Sequence, residues 1–327
     1  MKAAIRDRYG TVDQVRVEEV PTPEPVDDQV LVRVHAASIN RADLDAIKPR
    51  PAFVRLFIGL RAPRDRRLGL DVAGVVESVG GAATRLAPGD RVFADLFVYS
   101  GQGAFAEYVC VPEKAFERIP DGLSFEEAAT LPHSGVLAIQ GLRLRDGRTI
   151  TPGDKVLIDG ASGNVGPFAV QVAKAMGAEV TGVASRGKLD FVRSLGADHV
   201  IDYTQVDYTR AGKRFDWILD TDSHHSLLRV RHALKPGGVY VTLGGTSVPI
   251  LAGILAAPFV SRATGLTMGL LLWWKPFDRG DLARLIGLIA EGTVKPAIDR
   301  RYPLSEVKDA LRWVDDGHAK GKVIITI

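Results

Sequence analysis

The chain has 327 residues, of which 46% are hydrophobic and 25% charged, and its formal net charge is +3. That length admits two domains with ample core, and that composition excludes a disordered or fibrous chain. So small a charge gives no argument for a nucleic-acid partner; Arg61, Arg64, Arg66 and Arg67 cluster without interleaved aromatics and read as a solvated loop.

The opening residues alternate in period two over 2–6, 14–20 and 29–36, with prolines at 21, 23 and 25 between them. Such spacing predicts strands, and a mostly β, barrel-like N-terminal domain. Residues 40–67 are polar and proline-punctuated, with Phe53, Leu56, Phe57, Ile58 and Leu60 making an apolar patch that suits a lid or substrate loop. Strands return over 70–80, 89–93 and 105–111. From Ser124 the pattern is helix, a break at Pro132, and a second helix; Ser124 and Glu127 form a capping box.

Residues 153–174, GDKVLIDGASGNVGPFAVQVAK, read as a short buried strand, a glycine-rich turn and a helix. In that turn Ala161, Gly163 and Gly166 have the spacing of a dinucleotide-binding fingerprint, with alanine in the first glycine's place. A tight turn falls at Ala161, close backbone approach to a pyrophosphate at Gly163, and helix–sheet packing at Gly166. The alternative is an ordinary glycine-rich connection, against which the next strand, 179–184, completes a βαβ unit. Helix and strand then alternate: 188–195 helical, 199–202 extended, 215–219 extended, 224–234 helical, 239–243 extended. This predicts a doubly wound parallel sheet, with Gly244 and Gly245 at a strand's carboxyl end, where ligands of such sheets bind. A helix over 281–291, an extended run over 294–302, a helix over 305–316 with Ser305 able to cap it, and a strand over 322–327 complete the chain.

Selection of an unphosphorylated dinucleotide calls for an acidic residue at the end of the second strand. Ser185 stands there instead, followed by Arg186 and Lys188, a hydroxyl and two cations that attract a 2′-phosphate. The expected cofactor is therefore NADPH, the alternative being a solvated basic helix start. Tyr203, ending the third strand, fits either a place beside the adenosine or a buried place in the sheet.

Cys110 is the only cysteine, which excludes an intramolecular disulfide and any multi-cysteine zinc site. The opening MKAAIRDRYG has no apolar signal core, so a cytoplasmic protein is expected. The apolar run 250–274 is interrupted by Pro258 and Arg262 and reads as protein-buried rather than as a stable membrane span.

On Gly153, Asp154, Leu157, Ala161, Ser162, Gly163, Gly166, Gln171 and Lys174 the chain resembles the medium-chain dehydrogenase/reductase superfamily, in particular its zinc-independent, zeta-crystallin-like NADPH:quinone oxidoreductase branch. The segments GDRVFA, FAEYV, LGADHVIDY and GKVIITI extend the likeness, while Asn164 and Leu137 depart from the family's usual glycine and threonine. The resemblance implies a Rossmann doubly wound parallel sheet over 124–288 and a GroES-like mostly-β domain over 1–123, completed by 289–327. It implies that Ser162, Gly163, Asn164 and Val165 meet the pyrophosphate. It likewise places Ser185, Arg186, Lys188 and Tyr203 at the adenosine end, Gly244 and Gly245 at the nicotinamide side, and Lys322 on a phosphate. A homodimer is implied by the family alone.

Zinc-dependent relatives carry a cysteine where this chain has Asn40 and a His-Glu pair where it has Leu70 and Asp71, so no metal is expected. Hydride addition to a quinone or an α,β-unsaturated carbonyl then needs orientation and a hydrogen bond to the developing oxyanion. By its family-equivalent position Asn40 is the donor candidate, with Asp43 orienting its loop; turn-capping is the alternative for both. His133 reads either as a substrate contact or as a packed histidine. The expected partner is a small-molecule quinone or enone, and the alternative function is an NADPH-binding structural or regulatory protein.

Overall fold

The computed structural model describes residues 1–49, 55–99, 101–210, 212–245, 254–271 and 274–327. It divides into two compact units, Met1–His133 with Ile298–Ile327, and Ser134–Ala297. The boundaries differ from the expected 123/124 and 288/289. The helix Phe125–Thr130, started by the Ser124–Glu127 capping box, packs on the first unit's strands and stacks Phe125 on His35, so residues 124–133 belong with that unit.

Strands of the first unit are β1 (Lys2–Ile5), β2 (Arg16–Glu19), β3 (Gln29–Ile39), β4 (Asp71–Val79), β5 (Arg91–Asp95), β6 (Tyr108–Pro112) and β7 (Glu117–Arg118). The second unit supplies β8 (Lys155–Asp159), β9 (Glu179–Ala184), β10 (His199–Asp202), β11 (Phe215–Asp220), β12 (Leu234–Thr242) and β13 (Thr267–Leu270). The first unit is completed by β14 (Ile298–Pro303) and β15 (Lys322–Thr326). Among the described residues the first unit's larger sheet runs β14-β15-β3-β4-β5-β7, with β6 also paired to β3. β15 lies between β14 and β3, so the last strand of the chain is an interior strand. Inward residues Val30, Val32, Val34, Val72, Val92, Phe105, Val109, Phe116 and Ile325 form its core.

The second unit's sheet is parallel in the order β10-β9-β8-β11-β12-β13. This is the 3-2-1-4-5-6 order of a doubly wound dinucleotide fold, with its switch point between β8 and β11. Leu157, Val183, Ile218 and Tyr240 pack in its core.

Two local expectations change. The helix read over 224–234 is only Leu227–Val230, because β12 begins at Leu234: Phe215 pairs with Leu234 and the ladder continues past a bulge through Lys235-Pro236-Gly237-Gly238, which reads as a turn in sequence. Ser305 lies within the 3₁₀ turn Leu304–Glu306, and the helix that follows, Val307–Asp315, has no side-chain cap. Of the apolar run 250–274, positions 250–253 and 272–273 lie outside the described residues, and the rest contains the helix Ala257–Thr264 and β13. Phe53 likewise lies outside them, and Arg55–Ile58 is a short helix. Among the described residues no helix is long and apolar enough to cross a membrane.

Candidate active site

The fingerprint turn joins β8 to the helix Gly166–Ala175. Gly160 has φ +78°, and a Cβ there would lie 2.2 Å from Thr221 Oγ1. At Gly166 a Cβ would fall 2.3 Å from the Gly160 carbonyl oxygen, so only glycine lets the helix start against the turn. Ala161, in the first-glycine position, is fully buried, and its N–H donates to Val183 O at 3.0 Å, tying the turn to β9. Ser162 is buried, whereas Gly163, Asn164 and Val165 are half-exposed, and a Cβ on Gly163 would approach only the Gly160 carbonyl, at 3.3 Å. The turn therefore has the open backbone that a pyrophosphate requires, ahead of a helix of ten residues.

The other predicted cofactor residues, apart from Lys322, follow β9, β10 and β12, and so share the sheet's carboxyl edge with the turn. Ser185 starts the 3₁₀ turn Arg186–Lys188. Tyr203 is 61% exposed, which removes the buried-sheet alternative. Gly245, at φ +137°, packs so closely on Ser223 that a Cβ would lie 2.5 Å from the Ser223 carbonyl oxygen, and the Gly244 carbonyl accepts from Ser223 N–H at 3.1 Å. Four strand spacings separate β10 from β12, about 19 Å, enough for an extended dinucleotide.

Two features of this edge were missed in sequence. Asp202, at the end of β10, lies 3.7 Å from the largely exposed Arg186 guanidinium, so a carboxylate does stand near the expected 2′-phosphate position, one strand further on. Asp159 and Asp220 are cross-strand neighbours at the carboxyl ends of β8 and β11. Burial pushes Asp220 up to about 6, with Asp222 adding to the rise, and burial together with Asp220 holds Asp159 well above the carboxylate range; Tyr240 OH donates to Asp220 at 2.9 Å. Their visible signal was only an acidic residue closing each of two apolar strands.

The first unit holds a buried polar cluster. Ser38, Asp71 and Asp95 stand in register across β3, β4 and β5. Asp71 Oδ2 accepts from Ser38 Oγ at 2.9 Å, Asn40 Nδ2 at 2.9 Å and Lys322 Nζ at 3.2 Å, while its Oδ1 accepts from the His133 backbone N–H at 3.0 Å. That N–H is available because Leu131–Gly135 winds as a π turn around Pro132, which has no donor of its own. His133 Nδ1 in turn meets Asp95 Oδ2 at 2.9 Å, and Phe97 N–H donates to Asp95 Oδ1 at 2.8 Å.

Lys322 requires a correction. Expected on a cofactor phosphate, it is 1% exposed and donates to Asn40 Oδ1 at 2.6 Å and to Asp71. Asn40, expected to serve the substrate oxyanion, directs its Nδ2 to Asp71 and is itself 1% exposed. The Asp43 carboxylate accepts the Asn40 backbone N–H at 2.7 Å, part of a capping box at the start of the helix Arg41–Ile47, which is the turn-capping alternative. Burial lowers the Lys322 ammonium against the opposing pull of Asp71, and pushes Asp43 up to about 7. Burial also disfavours the His133 imidazolium, but Asp95, helped by Asp71, outweighs it and holds His133 above its ordinary value. Among the described residues no group of three or more His, Cys, Asp or Glu is arranged to hold a metal ion.

Comparison with known proteins agrees with both units. Residues 26–121 match the family description "Alcohol dehydrogenase GroES-like domain" and residues 195–325 match "Zinc-binding dehydrogenase". The chain is 33% identical to a 2-methylene-furan-3-one reductase of Solanum lycopersicum, over 99% of this chain and 79% of the relative. It is 32% identical to the chloroplastic NADPH-dependent alkenal/one oxidoreductase of Arabidopsis thaliana, over the same shares. The structure of the quinone oxidoreductase from Coxiella burnetii superposes with a TM-score of 0.85 at 29% identity, covering 100% of this chain and 99% of that one. With the fold, the fingerprint turn and this full-length similarity in agreement, the chain belongs to the medium-chain dehydrogenase/reductase superfamily, in its quinone oxidoreductase branch.

Proposed function

We propose that the chain is an NADPH-dependent reductase that acts on quinones or α,β-unsaturated carbonyls without a metal. The observation that carries this reading is the carboxyl edge of the second unit's sheet, where an open fingerprint turn lies between an exposed aromatic on one side and a close-packed glycine pair on the other. Bound there, a nicotinamide dinucleotide supplies a hydride. Ser162, Gly163, Asn164 and Val165 hold the pyrophosphate, Gly244 and Gly245 leave room on the nicotinamide side, and Tyr203 covers the adenosine.

Ser185, Arg186 and Lys188 receive the 2′-phosphate, and Arg186 is free to turn toward it because its side chain is 82% exposed. Asp202 opposes the phosphate, so its distance from the bound cofactor sets how strongly NADPH is preferred over NADH. The metal-free part of the reading is supported by Asp71, the one acidic residue matching a zinc-ligand position of the relatives, which is committed to the Lys322 ammonium. Asn40 and Asp43 hold the first unit's buried cluster in place, Asn40 through Asp71 and Lys322 and Asp43 through the loop. The acceptor is a small molecule, and a homodimer is carried by family likeness alone.

The test is oxidation of NADPH and of NADH by purified protein against a panel of ortho-quinones, para-quinones and enones, with a chelator present throughout. Chelator-insensitive turnover favouring NADPH is expected. Tight NADPH binding with no turnover across the panel favours instead a structural or regulatory cofactor-binding protein.

A further inference from the structure

We propose that the amino edge of the second unit's sheet binds a small polyanion, a compound carrying two or more phosphate groups, apart from the fingerprint turn at the opposite edge. Every residue of this site belongs to the second unit, and its assignment is independent of the reductase reading above.

A cleft of about 580 Å³ opens at that edge, within the range of about 300–1,000 Å³ that small-molecule sites occupy. Strand register builds it. Lys155 is in register with Glu179, and Thr181 with His199. Residues two apart on a strand share a face, so Lys155, Glu179, Thr181, His199 and Ile201 meet on one side of β8, β9 and β10 near their amino ends. Lys213, Arg214 and Phe215 enter at the start of β11, and Lys235 on β12. An adjoining cleft of about 300 Å³ shares Lys213 and Lys235 and adds Arg231 and His232. The length of β8, about 13 Å, separates this edge from the fingerprint turn.

Charge decides what fits. The larger cleft is lined by the cations Lys155, Lys213, Arg214 and Lys235 and by one carboxylate, Glu179. That carboxylate is already shared between Lys155, at 3.6 Å, and His199, at 3.2 Å. Asp216, on β11, accepts from Lys235 Nζ at 2.6 Å and from the Lys155 backbone N–H at 2.8 Å. Among the described residues the exposed side chains of Lys213 and Arg214 have neither a hydrogen bond nor an ion pair. Arg231 is half-buried, and its Nε is sealed from solvent without a hydrogen-bond partner.

A cleft lined by one sign of charge concentrates its field, and a guanidinium forks onto phosphate oxygens. Unpaired cations in two adjoining clefts therefore suit a ligand with more than one anionic group. Nucleic acid fits less well. Among the described residues Phe215 is the one Phe, Tyr or Trp along either cleft, and at 5% exposure it gives bases no ring to stack on.

The experiment titrates the full chain with inorganic tripolyphosphate by calorimetry, with and without saturating NADP⁺, and locates the contact by backbone NMR. One tripolyphosphate is expected per chain, with the same affinity in both titrations, weakening as salt is raised. Shifts are expected at Lys155, Thr181, His199 and Arg214. Lys213→Glu combined with Arg214→Glu lowers the affinity about tenfold, and the paired glutamine changes lower it less. NADP⁺ affinity and the urea unfolding midpoint stay at wild-type values in both variants. Wild-type tripolyphosphate affinity in the double glutamate variant overturns the proposal. So does competition by NADP⁺ with shifts confined to residues 161–165 and 185–188, which places the anion at the cofactor edge. Hexaglutamate binding more tightly than tripolyphosphate likewise overturns it, in favour of an acidic protein partner.

Discussion

The two units bury carboxylates in opposite ways. In the first, Asp71 faces the Lys322 ammonium and Asp95 the His133 ring, so each carboxyl group is met by a basic one. In the second, Asp159 and Asp220 face each other, and the groups nearest Asp220 are the hydroxyls of Tyr240 and Ser223. There burial is accommodated by keeping the proton on Asp159, while Asp220, at about 6, holds its own only in mildly acid solution. A buried ion pair is fragile to loss of one partner, whereas a buried like-charge pair is relieved by losing one. The same cost of desolvation thus predicts opposite signs for mutations in the two clusters.

Lys322→Met breaks the comparison most strongly. It leaves Asp71 without its cation and destabilises the first unit by about 3–5 kcal/mol. Hydrogen exchange read separately on peptides of β3 and β11 shows the loss in β3 first, and a second change, Asp71→Asn, recovers part of it. If β3 protection is unchanged, the Lys322–Asp71 pair is energetically idle.

Asp220→Asn works in the other direction. The Asp220 carboxyl lies at about 6 in the folded chain against an ordinary value of 3.8, so the folded state holds the proton more tightly than the unfolded one. The resulting penalty is absent below the ordinary value, grows between the two values and is fully present above the upper one. Asp220→Asn therefore raises stability near about pH 8, by about 3 kcal/mol at most, and changes little near about pH 4. Urea unfolding at the two pH values checks the sign, and a loss of stability at the higher pH contradicts the like-charge reading. Ser124→Ala calibrates the scale outside both clusters: losing the hydroxyl that accepts the Glu127 N–H at 3.2 Å costs about 1 kcal/mol at any pH in this range, measured by the same unfolding curves.

What the sequence made legible tracks how local the physics is. The fingerprint turn was readable because strand, turn and helix follow one another within 153–174, and each glycine acts on atoms a few residues away. The Ser124–Glu127 box was readable for the same reason. Lys322 was misplaced because its partners, Asn40 and Asp71, are 282 and 251 positions distant, and nothing in GKVIITI distinguishes a lysine facing phosphate from one sealed under a sheet. Asp95 was passed over because an acid ending an apolar strand looks like a solvated turn until His133, 38 residues on, is folded against it. The short helix at Leu227–Val230 was overextended since Lys235-Pro236-Gly237-Gly238 carries every local mark of a turn, and only pairing with β11 makes it strand.

The place of β15 between β14 and β3 has a consequence for biogenesis. As the chain leaves the ribosome, the first 133 residues emerge without the strand that fills their sheet or the ammonium that neutralises Asp71. Residues 134–297, contiguous in sequence, possess everything their own sheet needs well before that. Synthesis therefore delivers a finished second unit while the first waits, open-edged, for its closing strand. Strand β15 acts as a latch, and removing it strands the earlier-made part of its unit.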